Sequence, residues 1–138
     1  MNKVIKIGES ATISRKFTED DVIQYAELST DRNSIHLDEE YAAKTQFKHR
    51  IVHGMLVGSL FSALVGQHLP GEGSIYMAQN MQFKAPVFLD MEVIASVEII
   101  AIHETKPIVT LQTLCLDTDG NTLIQGDAVM YVPWLKNT

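Results

Sequence analysis

Hydrophobic and polar positions change their period along this chain, and the changes mark out its elements. From Glu9 to Phe17, Ala11 and Ile13 alternate with polar neighbours, which predicts a short strand. Thr18-Glu19-Asp20-Asp21 predicts a helix start. Thr18 can cap, Asp21 can return the bond as the last member of a capping box, and three acids suit the positive helix end. Val22, Tyr25, Ala26 and Ser29 then recur at helical spacing and deliver the chain to Asp31. A second short helix is expected from Glu39, capped by Asp38 and continued by Tyr41, Ala42 and Ala43, with Phe47 to Arg50 as a connector.

The third predicted helix differs in kind. Gly54 to Gly66 holds no charged residue, and the apolar segment runs on to about Leu69, some 25 Å of helix at ~1.5 Å per residue. A helix apolar all round is expected to be buried on most sides. Gly54, Gly58, Ser62 and Gly66 form one stripe of small residues, where another backbone or a ligand can approach closely. Leu69-Pro70-Gly71-Glu72-Gly73 stops the helix. Strand patterns follow: Ile75 to Phe83, ended or bent by Pro86; Met91 to His103; Pro107 to Leu116; and, after the turn Asp117-Thr118-Asp119-Gly120, Thr122 to Val132. This order predicts an α+β domain, an antiparallel meander curled around one long helix. A small sheet leaves a face or an edge to cover, so a dimer is expected.

Composition narrows the class. The 138 residues suit one domain, and 46% apolar with 20% charged residues is ordinary for a soluble globular protein. A net charge of −6 argues against a general nucleic-acid or anionic-membrane surface, since both need a basic footprint. The apolar segment is short for a bilayer span and rich in Gly and Ser, so it reads as a core helix. No basic-then-apolar signal peptide is evident, so a cytoplasmic location is expected. Cys115, the single cysteine, lies in an apolar run and reads as a small buried side chain.

Candidate chemistry concentrates in Ser29-Thr30-Asp31-Arg32-Asn33-Ser34-Ile35-His36. On a continuous helix, five residues advance about 500°, leaving Asp31 and His36 roughly 140° apart and unable to share a substrate atom. If Asn33 and Ser34 break the helix by bonding to nearby backbone, the loop can turn both groups to one point, where an Asp–His pair can hold and activate water. His49 and His53 stand four apart, as zinc ligands on a helix can, but no metalloprotease Glu, Cys or acid cluster joins them. Structural roles are expected for both, and no metal is expected.

Ser29 to His36, Ile51-Val52-His53-Gly54-Met55 and Phe83-Lys84-Ala85-Pro86-Val87-Phe88 together resemble the MaoC-like (R)-specific enoyl-CoA hydratases, above all the single-domain members that feed polyhydroxyalkanoate synthesis. The resemblance runs from about Phe17 to Tyr131. It implies one hot-dog domain over residues 1–138, a curved antiparallel sheet around a central helix, acting as a homodimer on enoyl-CoA. It further implies Asp31 and His36 as catalytic residues with Asn33 in their motif, the Gly54 N–H as oxyanion donor, and Ser62 as a supporting serine. Neither cofactor nor metal is implied, CoA being part of the substrate. Lys48, Arg50, Lys84 and Lys106 are candidate partners for its phosphates. Two positions depart from the family pattern: Ser34 replaces the usual proline, and Leu89-Asp90 stands where Gly-Asp is expected. Two other readings are a hot-dog acyl-CoA thioesterase, which would want a carboxylate on the central helix, and a non-catalytic acyl-CoA binding module.

Overall fold

The computed structural model describes residues 4–135. Its elements are β1 (Ser10–Lys16), α1 (Glu19–Ser29), α2 (Ser34–Leu37), α3 (Glu39–Ala43), α4 (Gly54–Gln67), β2 (Ile75–Gln79), β3 (Gln82–Phe83), β4 (Glu92–Ile102), β5 (Ile108–Leu116) and β6 (Thr122–Tyr131). The strands form one six-stranded antiparallel sheet in the order β1-β4-β5-β6-β2, with β3 also paired to β6. The meander is therefore β4-β5-β6. β2 lies beyond β6, and β1 returns to pair with β4, Ser10 opposite Glu98 through Lys16 opposite Glu92.

One face of this sheet is apolar because alternate residues point the same way. Val93, Ala95, Val97 and Ile99 of β4, Val109, Leu111 and Cys115 of β5, and Ile124, Ala128 and Met130 of β6 are all buried. α4 lies across that face against β4 and β1, and supplies Val57, Leu60, Phe61, Leu64 and Val65 to the same core. This is the hot-dog arrangement, an α+β fold. Burial pushes the Cys115 thiol up to about 12, so it sits as an un-ionised core side chain.

Two local features place the strands over the helix. Gly126 is required by close approach: a Cβ there would stand 1.9 Å from the Asn80 carbonyl oxygen. Asn80 is pressed against β6 at that point, its N–H donating to the Asp127 carbonyl, and the predicted Ile75–Phe83 strand is divided there into β2 and β3, both paired antiparallel to β6. Met81 and Phe83 just beyond Asn80 then lie on Gly58 and Gly54, where added Cβ atoms would stand 2.6 Å and 2.7 Å from them. Half of the small-residue stripe is thus filled from within the chain.

α4 itself departs from the expectation in two ways. It ends at Gln67, two residues before Leu69, because Gly71 N–H and Ser74 Oγ–H turn back to the Val65 carbonyl. It is also not enclosed. Met55, Ser59, Ser62 and Ala63 are exposed along one side, and Ile75, Tyr76, Met77 and Phe83 are exposed as well. A helix without charge is covered by its own chain on only part of its circumference.

Candidate functional site

Helix α1 opens with the capping box read from the sequence: Thr18 Oγ1 accepts from Asp21 N–H at 3.2 Å and Asp21 accepts from Thr18 N–H at 2.9 Å. It closes at Thr30 in the left-handed region, φ 66°. Ser29 Oγ–H donates to the Tyr25 carbonyl at 2.7 Å and accepts from Asp31 N–H at 3.1 Å. Asp31 Oδ1 accepts from Asn33 N–H at 3.2 Å, and Asn33 Oδ1 accepts from Ile35 N–H at 3.2 Å. These short side-chain-to-backbone bonds break the helix where the sequence places a break. They also start a new helix, α2, with Asn33 as its cap, in place of the plain loop the sequence suggests. Ser34, in the family's proline position, is the first residue of α2. Its N–H would be unpaired in any helix, so proline and serine serve there alike.

α2 turns His36 inward to 8% exposure, while Asp31 stays exposed at the rim. His36 Nδ1–H donates to the Ile51 carbonyl at 2.7 Å, which leaves Nε2 as the free nitrogen of the neutral ring. Burial is the main influence holding the His36 pKa below the ordinary imidazole value. The neighbouring His53 adds to that, and the Ile51 bond and the Asp31 charge oppose it. The Ile51 segment is itself fixed by Ile51 N–H to the Ile35 carbonyl and by Val52 N–H to the Val87 carbonyl.

Gly54 is the first residue of α4, which has no side-chain cap and no acid in its first turn. First-turn N–H groups lack helical acceptors and favour an oxyanion. All three parts line one cleft of about 510 Å³, whose remaining wall is largely apolar, with Val57, Phe83, Val87 and Ile124 among its residues.

His53 was expected to be structural, yet it lies inside this constellation. It is 1% exposed and stacks on His36 with ring centroids 3.9 Å apart, and its Nε2–H donates to the Asp31 carbonyl at 3.0 Å. Sixteen residues, helix α3 among them, separate it from His36, so no local spacing announces the contact. An oxygen of Asp31 and a nitrogen of each histidine fall within 4.8 Å of one another, a grouping that metals use. The rings, however, are stacked only 27° apart, so their in-plane lone pairs run side by side instead of converging.

Other expected residues are placed differently. Ser62 is exposed on the open side of α4 and does not line the cleft. Lys84 lines the cleft, and Lys48 is exposed beside the cleft residue Phe47. Arg50 is paired with Glu19 and Glu39, each at 3.1 Å, which ties α1 to α3. Lys106 sits in the β4–β5 turn, near Tyr131 at the far end of β6 from Ile124, roughly 24 Å along the strand. That distance removes it from this cleft. Leu64, Val65 and Met130 are buried in the core and do not line the cleft.

The chain is 47% identical to the (R)-specific enoyl-CoA hydratase of Aeromonas caviae over 129 residues, 94% of this chain and 96% of that protein. It is 42% identical to the (R)-specific enoyl-CoA hydratase of Rhodospirillum rubrum, with 94% and 89% covered. The solved structure of an A. caviae (R)-hydratase involved in PHA biosynthesis superposes with a TM-score of 0.91, covering 94% of this chain and 98% of that one, at 47% identity. Residues 3–118 match the MaoC like domain, and the chain belongs to that family.

Proposed function

We propose that this protein is an (R)-specific enoyl-CoA hydratase, adding water syn across trans-2-enoyl-CoA to give (R)-3-hydroxyacyl-CoA. The observation that carries this is the convergence of Asp31, His36 and the uncapped start of α4 on one apolar cleft. Asp31 and His36 hold one water. Neutral His36 accepts its proton at Nε2 as the water oxygen bonds to C3, and Asp31 orients the water and supports the imidazolium. Negative charge moves to the thioester oxygen, where the Gly54 N–H binds the enolate more strongly than the ground state. The imidazolium then returns the proton to C2 on the same face. No electrons are transferred and no leaving group departs, so the reaction calls for no metal or nucleotide cofactor.

The thioesterase alternative lacks its carboxylate, since α4 carries no acidic residue. Lys84 and Lys48 at the rim are the remaining candidates for the CoA phosphates. The same reading makes the protein a cytoplasmic homodimer supplying hydroxyacyl-CoA for polyhydroxyalkanoate synthesis. Dimerisation is supported by the exposed α4 side and by β2, whose outer edge has no strand partner among the described residues. No helix of the structure is long and apolar enough to cross a membrane.

Hydration of crotonyl-CoA in heavy water tests the reaction. Loss of enoyl absorbance is expected, with (R)-3-hydroxybutyryl-CoA carrying one deuterium syn at C2. An (S) product or anti addition overturns the assignment.

A further inference from the structure

His53 is a poor residue for its position if stability alone chose it. Its Nδ1 is buried with no hydrogen-bond partner, whereas a phenylalanine would fill the same space without a buried polar atom. What the histidine does instead is touch every part of the site. Its face packs on the His36 ring at 3.9 Å, and the Tyr25 ring meets it edge-on at 4.7 Å. Its Nε2–H holds the Asp31 carbonyl at 3.0 Å. The carbonyl and carboxylate of Asp31 belong to one short turn, closed by Asn33 N–H on Oδ1, so fixing the carbonyl fixes the direction of the carboxylate. His53 is also the N-cap residue of α4, so the same backbone positions the Gly54 N–H.

We infer that His53 is a positioning residue that registers Asp31, His36 and the Gly54 N–H against one another, acting as the Nε2–H tautomer. The Tyr25 ring sets its plane, the stack limits rotation of His36 about its Ile51 bond, and the N–H fixes the loop. The inference rests on the hydratase reading, and it adds a residue that would not touch substrate.

The decisive variant is His53→Phe, which keeps the aromatic stack and removes both the N–H and the orphaned nitrogen. A Tm equal to or above the parent is expected, together with a fall in kcat of at least about tenfold, the scale of a catalytic group set out of line, and KM within about threefold. His53→Gln, with an amide N–H near the Nε2 position, should recover part of that kcat. In a His36→Ala background, His53→Phe should cost little more, because residues that act through one another are not additive. A kcat within about twofold of the parent, or a full loss repeated on top of His36→Ala, overturns the inference. Nitrogen-15 spectra of the unmodified protein give a readout independent of turnover. His53 must appear as the Nε2–H tautomer, and any other state rejects the inference. That tautomer in a protein that fails to hydrate crotonyl-CoA rejects the reaction and leaves the placement standing.

Discussion

The stretch from Ser29 to His36 and the body of α4 are held in opposite ways. The first is built by hydrogen bonds spanning two to four residues, most of its side chains are exposed, and it buries only His36. The second makes no side-chain cap and is held by apolar side chains from distant strands, with Phe61 and Leu64 at 0% exposure. The loop supplies direction and the helix supplies free energy. A substitution in one should therefore alter rate at nearly constant stability, and a substitution in the other should do the reverse.

The sharpest test sets the two side by side. Asp31→Asn and His36→Ala are each expected to lower kcat by about 10²–10⁴-fold, as removal of a positioned acid or base does, with the protein still folded. Phe61→Ala should cost about 3–5 kcal/mol of stability, measured by urea unfolding, because it empties a fully buried site in the core. A loop variant that unfolds, or a Phe61→Ala variant with parental stability, breaks the comparison.

A smaller effect is expected from pH. His36 is held below its ordinary pKa of 6.5, chiefly by burial, so the unfolded chain takes up this proton first as pH falls. Its contribution to stability is complete above about pH 6.5 and is lost as pH falls through the lower folded value. The acid limb of kcat/KM should likewise lie below 6.5 if neutral His36 is the base. Asp31→Asn removes a charge that raises this pKa, so NMR titration of His36 in that variant should give a still lower value.

The smallest effect belongs to Ser34→Pro. At the first position of α2 the ring fits the helix and removes an N–H that has no helical acceptor. A gain of about 0.4–1 kcal/mol is expected from the stiffened unfolded chain, with turnover unchanged. A loss of stability would show that the loop holds its shape through the Ser34 N–H.

Much of the fold was legible because it rests on local rules. The Thr18–Asp21 capping box, the Asn33 break and the turn at Asp117–Gly120 are each set by neighbours in sequence, and each appears where the pattern puts it; the stop after α4 comes two residues early. Strand patterns located β4, β5 and β6 for the same reason. The order of strands was less accessible, since alternation gives a strand its two faces but not its neighbour. β2 pairs with β6, and the Asn80 carbonyl next to it lies so close to Gly126 that a side chain there would clash.

The candidate site divides along the same line. Residue types and spacing brought Asp31 and His36 forward from the sequence, with Asn33 as the break between them, because the loop's bonds are local; the family resemblance added the Gly54 N–H. Arg50 and Lys106 looked available as cations until the folded chain paired the first with Glu19 and Glu39 and carried the second to the other end of β6. Ser62 took the open side of α4, a choice made by which helix face the sheet covers. His53 is the clearest case. As a letter before Gly54 it resembles any core histidine, and packing alone sets it on His36 and under the Asp31 carbonyl. Short-range hydrogen bonds and periodicity are written in neighbouring residues; contacts made by closing a sheet over a helix depend on the whole chain at once.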